Sequence, residues 1–387
     1  LSAALPFAQA VERLCAGRAA PHALVLRLEE LTVRVRSNNA ALAEDLRGYF
    51  APFLAPDLTT GLVAQASPDF DCLLLDGPVA EPPVELAVRR HLPGKRPDKE
   101  RFADLPGDGP GDLEGGGRIV RKQATGMLFA FGGADGAGLA VGPCAQNRNQ
   151  LVNFICARYM ERRVAAGWRL GHAAGVAPGG RGLALCGFAG MGKSTLALHL
   201  LALGCDFLTN DRALIEPAAG EGRGAVLHGI PKHPRLNPGT ALGNPALSAH
   251  LERALPAAKR AAYAGLAAES LYAVEDKYDA LIDACFPPAA GACSRFRLRA
   301  PLAGLIVLNW RHGGGPMRAQ RVDLRARRDL LDALRKPPGV FYREEALATA
   351  RLSEDDFLDA LTGVPVLELS GGSDFPAGAR ACLDLIT

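Results

Sequence analysis

Eight consecutive residues, Gly187-Phe188-Ala189-Gly190-Met191-Gly192-Lys193-Ser194, fit the pattern G-x-x-x-x-G-K-[ST], and nothing else in the chain restricts the fold as tightly. Such a loop works only between a strand and a helix. Its glycines let backbone N–H groups wrap a phosphate, and the helix N-terminus adds partial positive charge. The flanks supply both elements. Leu183 to Cys186 reads as a buried strand, Lys193 to Leu203 as a helix, and Gly204 stands at its C-cap position. Gly187, Ala189, Gly190, Met191, Gly192 and Thr195 then belong to the phosphate-contacting stretch. Lys193 would neutralise β- and γ-phosphates, and the Ser194 hydroxyl would ligate Mg²⁺.

Downstream, Asp206 to Thr209 reads as the next strand and ends in Asn210-Asp211-Arg212. In a right-handed parallel β-α-β unit the carboxyl ends of both strands lie on one side of the sheet, so Asp211 is expected beside the loop. A carboxylate there can hold Mg²⁺ or take a proton from an attacking hydroxyl. Upstream, Leu170 to Val176 and Gly182 to Gly187 flank the turn signal Pro178-Gly179-Gly180-Arg181. A hairpin centred on the two glycines pairs His172 with about Gly187, within two residues of register. His172 is thus a candidate for phosphate contact or proton transfer, with a histidine satisfied by backbone hydrogen bonds as the competing reading.

The 387 residues carry 44 Lys+Arg against 41 Asp+Glu, interleaved along the chain, which leaves no basic footprint for nucleic acid or an anionic membrane. Only eight of those basic residues are Lys, so a Lys inside a motif stands out. No apolar run reaches the roughly 18 residues of a membrane span. Nine Cys, an odd number with no CxxC pair, point to reduced thiols in a cytoplasm. The length suggests two domains or one large α/β unit. Residues 1–115 read as a smaller N-terminal α/β scaffold or recognition unit, with strands at Leu24 to Leu28, Leu31 to Val35, Gly61 to Gln65 and Asp71 to Leu75. A helix through Leu42 and Leu46 follows a cap among Ser37, Asn38 and Asn39. Residues 93–117, rich in Pro, Gly and charge, read as a linker or loop, and residues 116–387 as the phosphate-loop domain.

The ordered set of His172, the Gly-rich hairpin, Gly187 to Ser194, an LALxL-type helix and a polar-Asp-Arg triplet resembles the HPr kinase/phosphorylase family. With Thr209 to Arg212 and Pro231 to Thr240 included, it is most similar to the group called HprK-related kinase B. The resemblance is specific over His172 to Glu216 and looser through Val141 to Pro143 and Leu305 to Trp310. It implies a twisted mixed sheet flanked by helices, related to phosphoenolpyruvate carboxykinase. It also implies an ATP- and Mg²⁺-dependent kinase of the bacterial cytoplasm, a homo-oligomer, and a functional link to an ATP-grasp protein. In that family two consecutive Asp follow the loop, the first moving the proton and the second lying at the metal. Here Asn210 replaces the first, and Asn is no base. Either Asp211 does both jobs, or His172 helps, or the transfer needs little base, or ATP is bound and hardly turned over. Arg212 or His172 would stabilise developing charge.

The family's second signature is missing, and Pro231 to Thr240 occupies its place, which argues against HPr as acceptor. The expected acceptor is therefore a Ser of another partner protein, with a small-molecule kinase and a nucleotide-binding switch as alternatives. Lys232 and Arg235, in that Pro-braced loop, suit capture of phosphate or an acidic substrate, with a solvated turn as the competing reading. Glu275, Asp276, Asp279 and Asp283 have helical spacing and read as a solvated helix face. Helices are expected from Leu324 to Leu334, Ser353 to Leu361 and Ala377 to Ile386, and a strand from Val364 to Leu369.

Overall fold

Alternation decides the first strands. In Leu31–Ser37, Val33, Val35 and Ser37 are buried while Thr32, Arg34 and Arg36 are half-buried, as a strand packed on one face requires. The computed structural model describes residues 5–55, 68–88, 99–108, 115–188, 190–218, 224–242, 248, 257–267, 270–271, 274, 276–343 and 352–387. These fall into two units, residues 1–162 with 338–349, and residues 163–337 with 350–387. The strand expected over 61–65 lies outside the described residues.

The first unit is built on one eight-stranded mixed sheet. Its strands are β1 (His22–Leu28), β2 (Leu31–Ser37), β3 (Phe70–Asp76), β4 (Ala87–Val88), β5 (Glu100–Leu105), β6 (Gly117–Lys122), β7 (Leu128–Gly132) and β8 (Ala137–Gly142), in the order β1-β2-β3-β8-β7-β6-β5-β4. Helices α1 (Phe7–Cys15), α2 (Ala40–Tyr49) and most of α3 (Arg148–Ala165) accompany it. Asn39 caps α2, its Oδ1 accepting the Leu42 N–H at 3.0 Å. The boundary expected near Gly116 falls inside this sheet. β8 pairs in parallel with β3, and β6 pairs with β5, which itself lies within the stretch read as linker. Composition misled there because a strand such as Glu100–Leu105, half exposed and charged, carries no apolar run to betray it.

The second unit carries β9 (Arg169–Gly171), β10 (Ala173–Ala177), β11 (Gly182–Gly187), β12 (Asp206–Thr209), β13 (Ala213–Glu216) and β14 (Val226–His228). A short separate ribbon pairs β15 (Arg235–Leu236) with β16 (Tyr278–Asp279), and β17 (Arg299–Arg311), β18 (Arg318–Arg321) and β19 (Val366–Gly372) complete the main sheet. At its centre β11, β17 and β19 run parallel, and Leu305 to Leu308 of β17 are wholly buried between the neighbouring strands. Helix α4 (Lys193–Ala202) follows β11, and Gly204 closes it at φ +97°.

Three expectations change in detail. The run Leu170 to Val176 is two strands broken at His172, because β9 pairs with β13 whereas β10 pairs with β11 and β12. The helix expected from Leu324 is a 3₁₀ segment, Arg328–Ala333. Ahead of it, Asp323 bonds its own neighbour's backbone N–H at Arg325, a local alternative to helix. The acidic cluster is not a helix face: Tyr278–Asp279 is a strand, Asp283 lies in the short helix α5 (Ile282–Cys285), and Glu275 is outside the described residues. Near the C-terminus, Ser353 caps α6 (Glu354–Ala360) in a capping box with Asp356, and α7 (Phe375–Asp384) ends the fold. Among the described residues no helix is long and apolar enough to cross a membrane.

Candidate active site

Between β11 and α4 the loop takes the form its glycines allow. Gly192 sits at φ +81°, and a Cβ there would lie 2.6 Å from the Phe375 ring. A Cβ on Gly187 would meet Leu308 at 2.9 Å, because β17 passes directly alongside. Trp310 of β17 donates its indole N–H to the Met191 carbonyl at 2.8 Å and packs edge-on against Phe375 at 5.2 Å. The loop is thus held from below by an aromatic pair. Gly192 is also the N-cap of α4 and has no side chain to cap with, so the N–H groups of the first helical turn face outward without an intrahelical acceptor. Lys193 bends back over this turn, its Nζ donating to the Gly187 carbonyl at 2.8 Å. Burial lowers its pKa, with Asp211 and Cys186 acting in the opposite sense.

Strand β12 brings the second half. It lies parallel in direction to β11 with β10 between them, since β10 is antiparallel to both. The carboxyl ends of β11 and β12 therefore share one edge, as the sequence required, although the two strands are not neighbours. At the end of β12 the Thr209 hydroxyl donates to the Arg212 carbonyl and closes a tight turn, inside which Asp211 takes φ +75°. Asp is one of the few residues that visits this region. The Ser194 hydroxyl donates to Asn210 Oδ1 at 2.8 Å, which leaves the lone pairs of Ser194 available.

His172 and Asp211 meet. The hairpin pairs Ala173 with Cys186, so His172 falls level with Gly187, and its Nε2 lies 3.2 Å from Asp211 Oδ1. Its backbone N–H, freed by the strand break, donates to the Leu334 carbonyl at 2.6 Å. Burial by itself would raise the Asp211 pKa. The hydrogen bond from His172 and the charges of Lys336 and Arg212 more than reverse this, and hold the carboxyl well below the usual range. Lys336 Nζ stands 3.8 Å from the same Oδ1.

These groups line one cleft of about 730 Å³, together with Gly190, Gly192 and Thr195. Lys232 and Arg235 line it as well, joined by Lys277, Lys336 and His233, which sequence reasoning did not assign to the site. The signal for the two lysines was their scarcity in an Arg-rich chain; no spacing rule links positions 193, 232, 277 and 336. Ala189 is outside the described residues, and Arg212 is not among the lining residues. The oxygens on offer are the Ser194 hydroxyl, the Asn210 amide and the Asp211 carboxylate, all hard donors. Among the described residues no group of three His, Cys, Asp or Glu forms a ready metal cage. That donor set fits Mg²⁺, which takes few protein ligands and completes its shell with phosphate oxygens and water.

No family model matches the chain. No curated protein matches it either. Among solved structures it is similar to the Hpr(Ser) kinase/phosphatase from Coxiella burnetii, with 11% identity over 56% of this chain and 93% of that one, and a TM-score of 0.25. At that level the likeness decides nothing about chemistry, which has to be read from the cleft's own residues.

Proposed function

We propose that the protein is a nucleotide-dependent phosphotransferase of the HPr-kinase type, moving the γ-phosphoryl group of ATP to a hydroxyl. The observation that carries this reading is the convergence of Lys193, Ser194, Asn210, Asp211 and His172 at the shared carboxyl edge of β11 and β12. Backbone N–H groups at the start of α4 hold the β-phosphate, and Lys193 swings from the Gly187 carbonyl onto the β- and γ-phosphates. Ser194 and Asp211 would hold Mg²⁺, which would supply neutralisation of charge on the phosphate oxygens.

The acceptor oxygen attacks phosphorus, the bond from phosphorus to the β–γ bridging oxygen breaks, and ADP departs with that electron pair. The hydroxyl proton passes to the Asp211 carboxylate, which the His172 ring holds in place from 3.2 Å. A carboxyl with so low a pKa is a weak base, which suits a loose transition state whose proton leaves late. Asn210 then has a purpose without being a base, since it orients the Ser194 hydroxyl.

The test is transfer of γ-labelled phosphate from ATP by the purified protein in an extract of its source, with Lys193→Ala and Asp211→Asn as controls. A labelled acceptor that disappears in both variants supports the kinase. Tight Mg-ATP binding with no labelled acceptor moves the reading to a nucleotide-binding switch, in which bound ATP orders loops for a partner.

A further inference from the structure

Mg-ATP, its triphosphate already half neutralised by the metal, does not balance the charge in this cleft. Four of the chain's eight lysines, Lys193, Lys232, Lys277 and Lys336, line it, and Arg235 makes a fifth cation, while Asp211 is the one carboxylate among the described lining residues. Lys193 serves the phosphates. The other four cations come from three separate stretches of chain and converge on one cleft.

We propose that the hydroxyl acceptor is itself a small anion, a compound carrying a carboxylate or phosphate near its hydroxyl, and that Lys232, Arg235, Lys277 and Lys336 hold that anionic group. The inference rests on the phosphotransfer reading and names the acceptor class for the same site. The backbone that carries these cations is braced before any ligand arrives. Arg235 is paired in register with Asp279 across β15 and β16, and its guanidinium donates to the Lys277 carbonyl at 3.1 Å. Beneath it the buried His233 accepts the Ile282 N–H on Nδ1 at 3.1 Å, which ties the Lys232 segment to α5. Prolines at 231 and 234 stiffen the same segment. A braced backbone loses little entropy on binding, and the lysine stems alone have to settle.

Asp279 lies 3.5 Å from Arg235 and offsets part of its charge. Lys336 is shared with Asp211 at 3.8 Å, and Lys232 and Lys277 add two further cations to the cleft. Lysine is a compact point charge on a flexible stem, suited to reaching one anionic group from several directions. A string of acidic side chains on a peptide calls for cations spread along a groove, whereas here they share a cleft of about 730 Å³. Asp211 stands where the acceptor hydroxyl must approach, and repels an anionic group placed the wrong way round. Charge thus both recruits the acceptor and sets its orientation.

Equilibrium binding of labelled inorganic phosphate to protein saturated with Mg-AMP-PNP tests this, since the nucleotide then occupies its own phosphate sites. One saturable site is expected. Lys232→Ala and Lys277→Ala should weaken it at least tenfold, Lys277→Arg should restore most of the loss, and AMP-PNP affinity should change less than twofold. Absent or variant-insensitive phosphate binding, or an equal loss for AMP-PNP, overturns the proposal. Failure of Mg-AMP-PNP to bind at all sinks the phosphotransfer reading, and this inference with it. In turnover, glycerate and glycerol 3-phosphate should be phosphorylated at least tenfold faster than glycerol at equal concentration, the carboxylate and the phosphate arms separating the two anion classes. Equal rates for glycerol, or faster labelling of an acidic Ser peptide, would count against a small anionic acceptor.

Discussion

Two regions of the molecule handle charge in opposite ways. On the first unit's sheet and on α3, several cations are matched where they stand. Arg34 faces Asp71 at 3.1 Å, Arg118 forks onto both oxygens of Asp104 at 2.6 and 2.7 Å, Lys122 meets Glu100, and the buried Arg158 pairs with Glu161 one helical turn away. In the cleft of the second unit, five cations stand with one carboxylate among the described lining residues, and Asp211 and Asp279 offset part of their charge. Matched charge fixes structure, because a buried ion without a partner is strongly destabilising. Charge left unmatched at one point costs stability through repulsion and is offset only when a ligand arrives. The formal net charge of +3 conceals this difference entirely.

The largest effect should come from the unmatched side. Lys193→Ala removes the charge aimed at the phosphates, and initial rates of label transfer should fall about 10³-fold. Circular dichroism should be unchanged, since among the described residues the Lys193 ammonium bonds loop carbonyls. A variant that loses its fold instead would mean that the loop's cation is structural, and the comparison would break.

On the matched side the expected loss is in stability. Arg158 is 1% exposed, its guanidinium lies 3.9 Å above the Phe131 ring, and it donates to Glu161 and to the Phe341 carbonyl. Burial lowers its pKa, and the Glu161 charge counteracts that. Glu161→Ala leaves the cation uncompensated and should cost about 3 kcal/mol, seen as a lower urea midpoint by far-ultraviolet circular dichroism. Its affinity for Mg-ATP, measured on the folded protein, should stay within twofold.

The core of the site was readable in the sequence because it is local. Residues 183–212 contain strand, loop, helix, strand and carboxylate within thirty positions, and short-range patterns specify all of them. The His172 pairing was readable for the same reason, one tight hairpin fixing its register. Lys277 and Lys336 were not, since they reach the cleft through the pairing of β15 with β16 and through the chain following Arg328–Ala333, long-range contacts that no periodicity encodes. The division of the chain failed likewise. Only the parallel pairing of β3 with β8, across more than sixty residues, shows that 117–142 belongs to the first sheet.

A smaller effect should follow from the support beneath the loop. Trp310→Phe keeps the aromatic packing on Phe375 and leaves the Met191 carbonyl without its donor, a loss of about 1 kcal/mol. Because the strain falls on the phosphate loop, it should appear as an affinity for Mg-ATP weaker by about fivefold in a calorimetric titration. A change confined to thermal stability would show that Trp310 packs the sheet without shaping the loop.

The smallest effect tests whether position or number governs the charges. Arg325 and Asp359 form an ion pair at 3.3 Å in the same unit as the cleft, yet their side chains are 56% and 72% exposed. Water screens such a pair, and holding two long side chains in one geometry costs entropy that cancels most of the attraction. A double-mutant cycle on Arg325→Ala and Asp359→Ala should therefore give a coupling below about 0.5 kcal/mol, and neither change should move the affinity for Mg-ATP. If this pair coupled as strongly as Arg158 and Glu161, burial would not be what separates structural charge from idle charge. The excess of cations in the cleft would then lose its meaning as the mark of an anionic ligand, because any charge anywhere on the surface would carry equal weight.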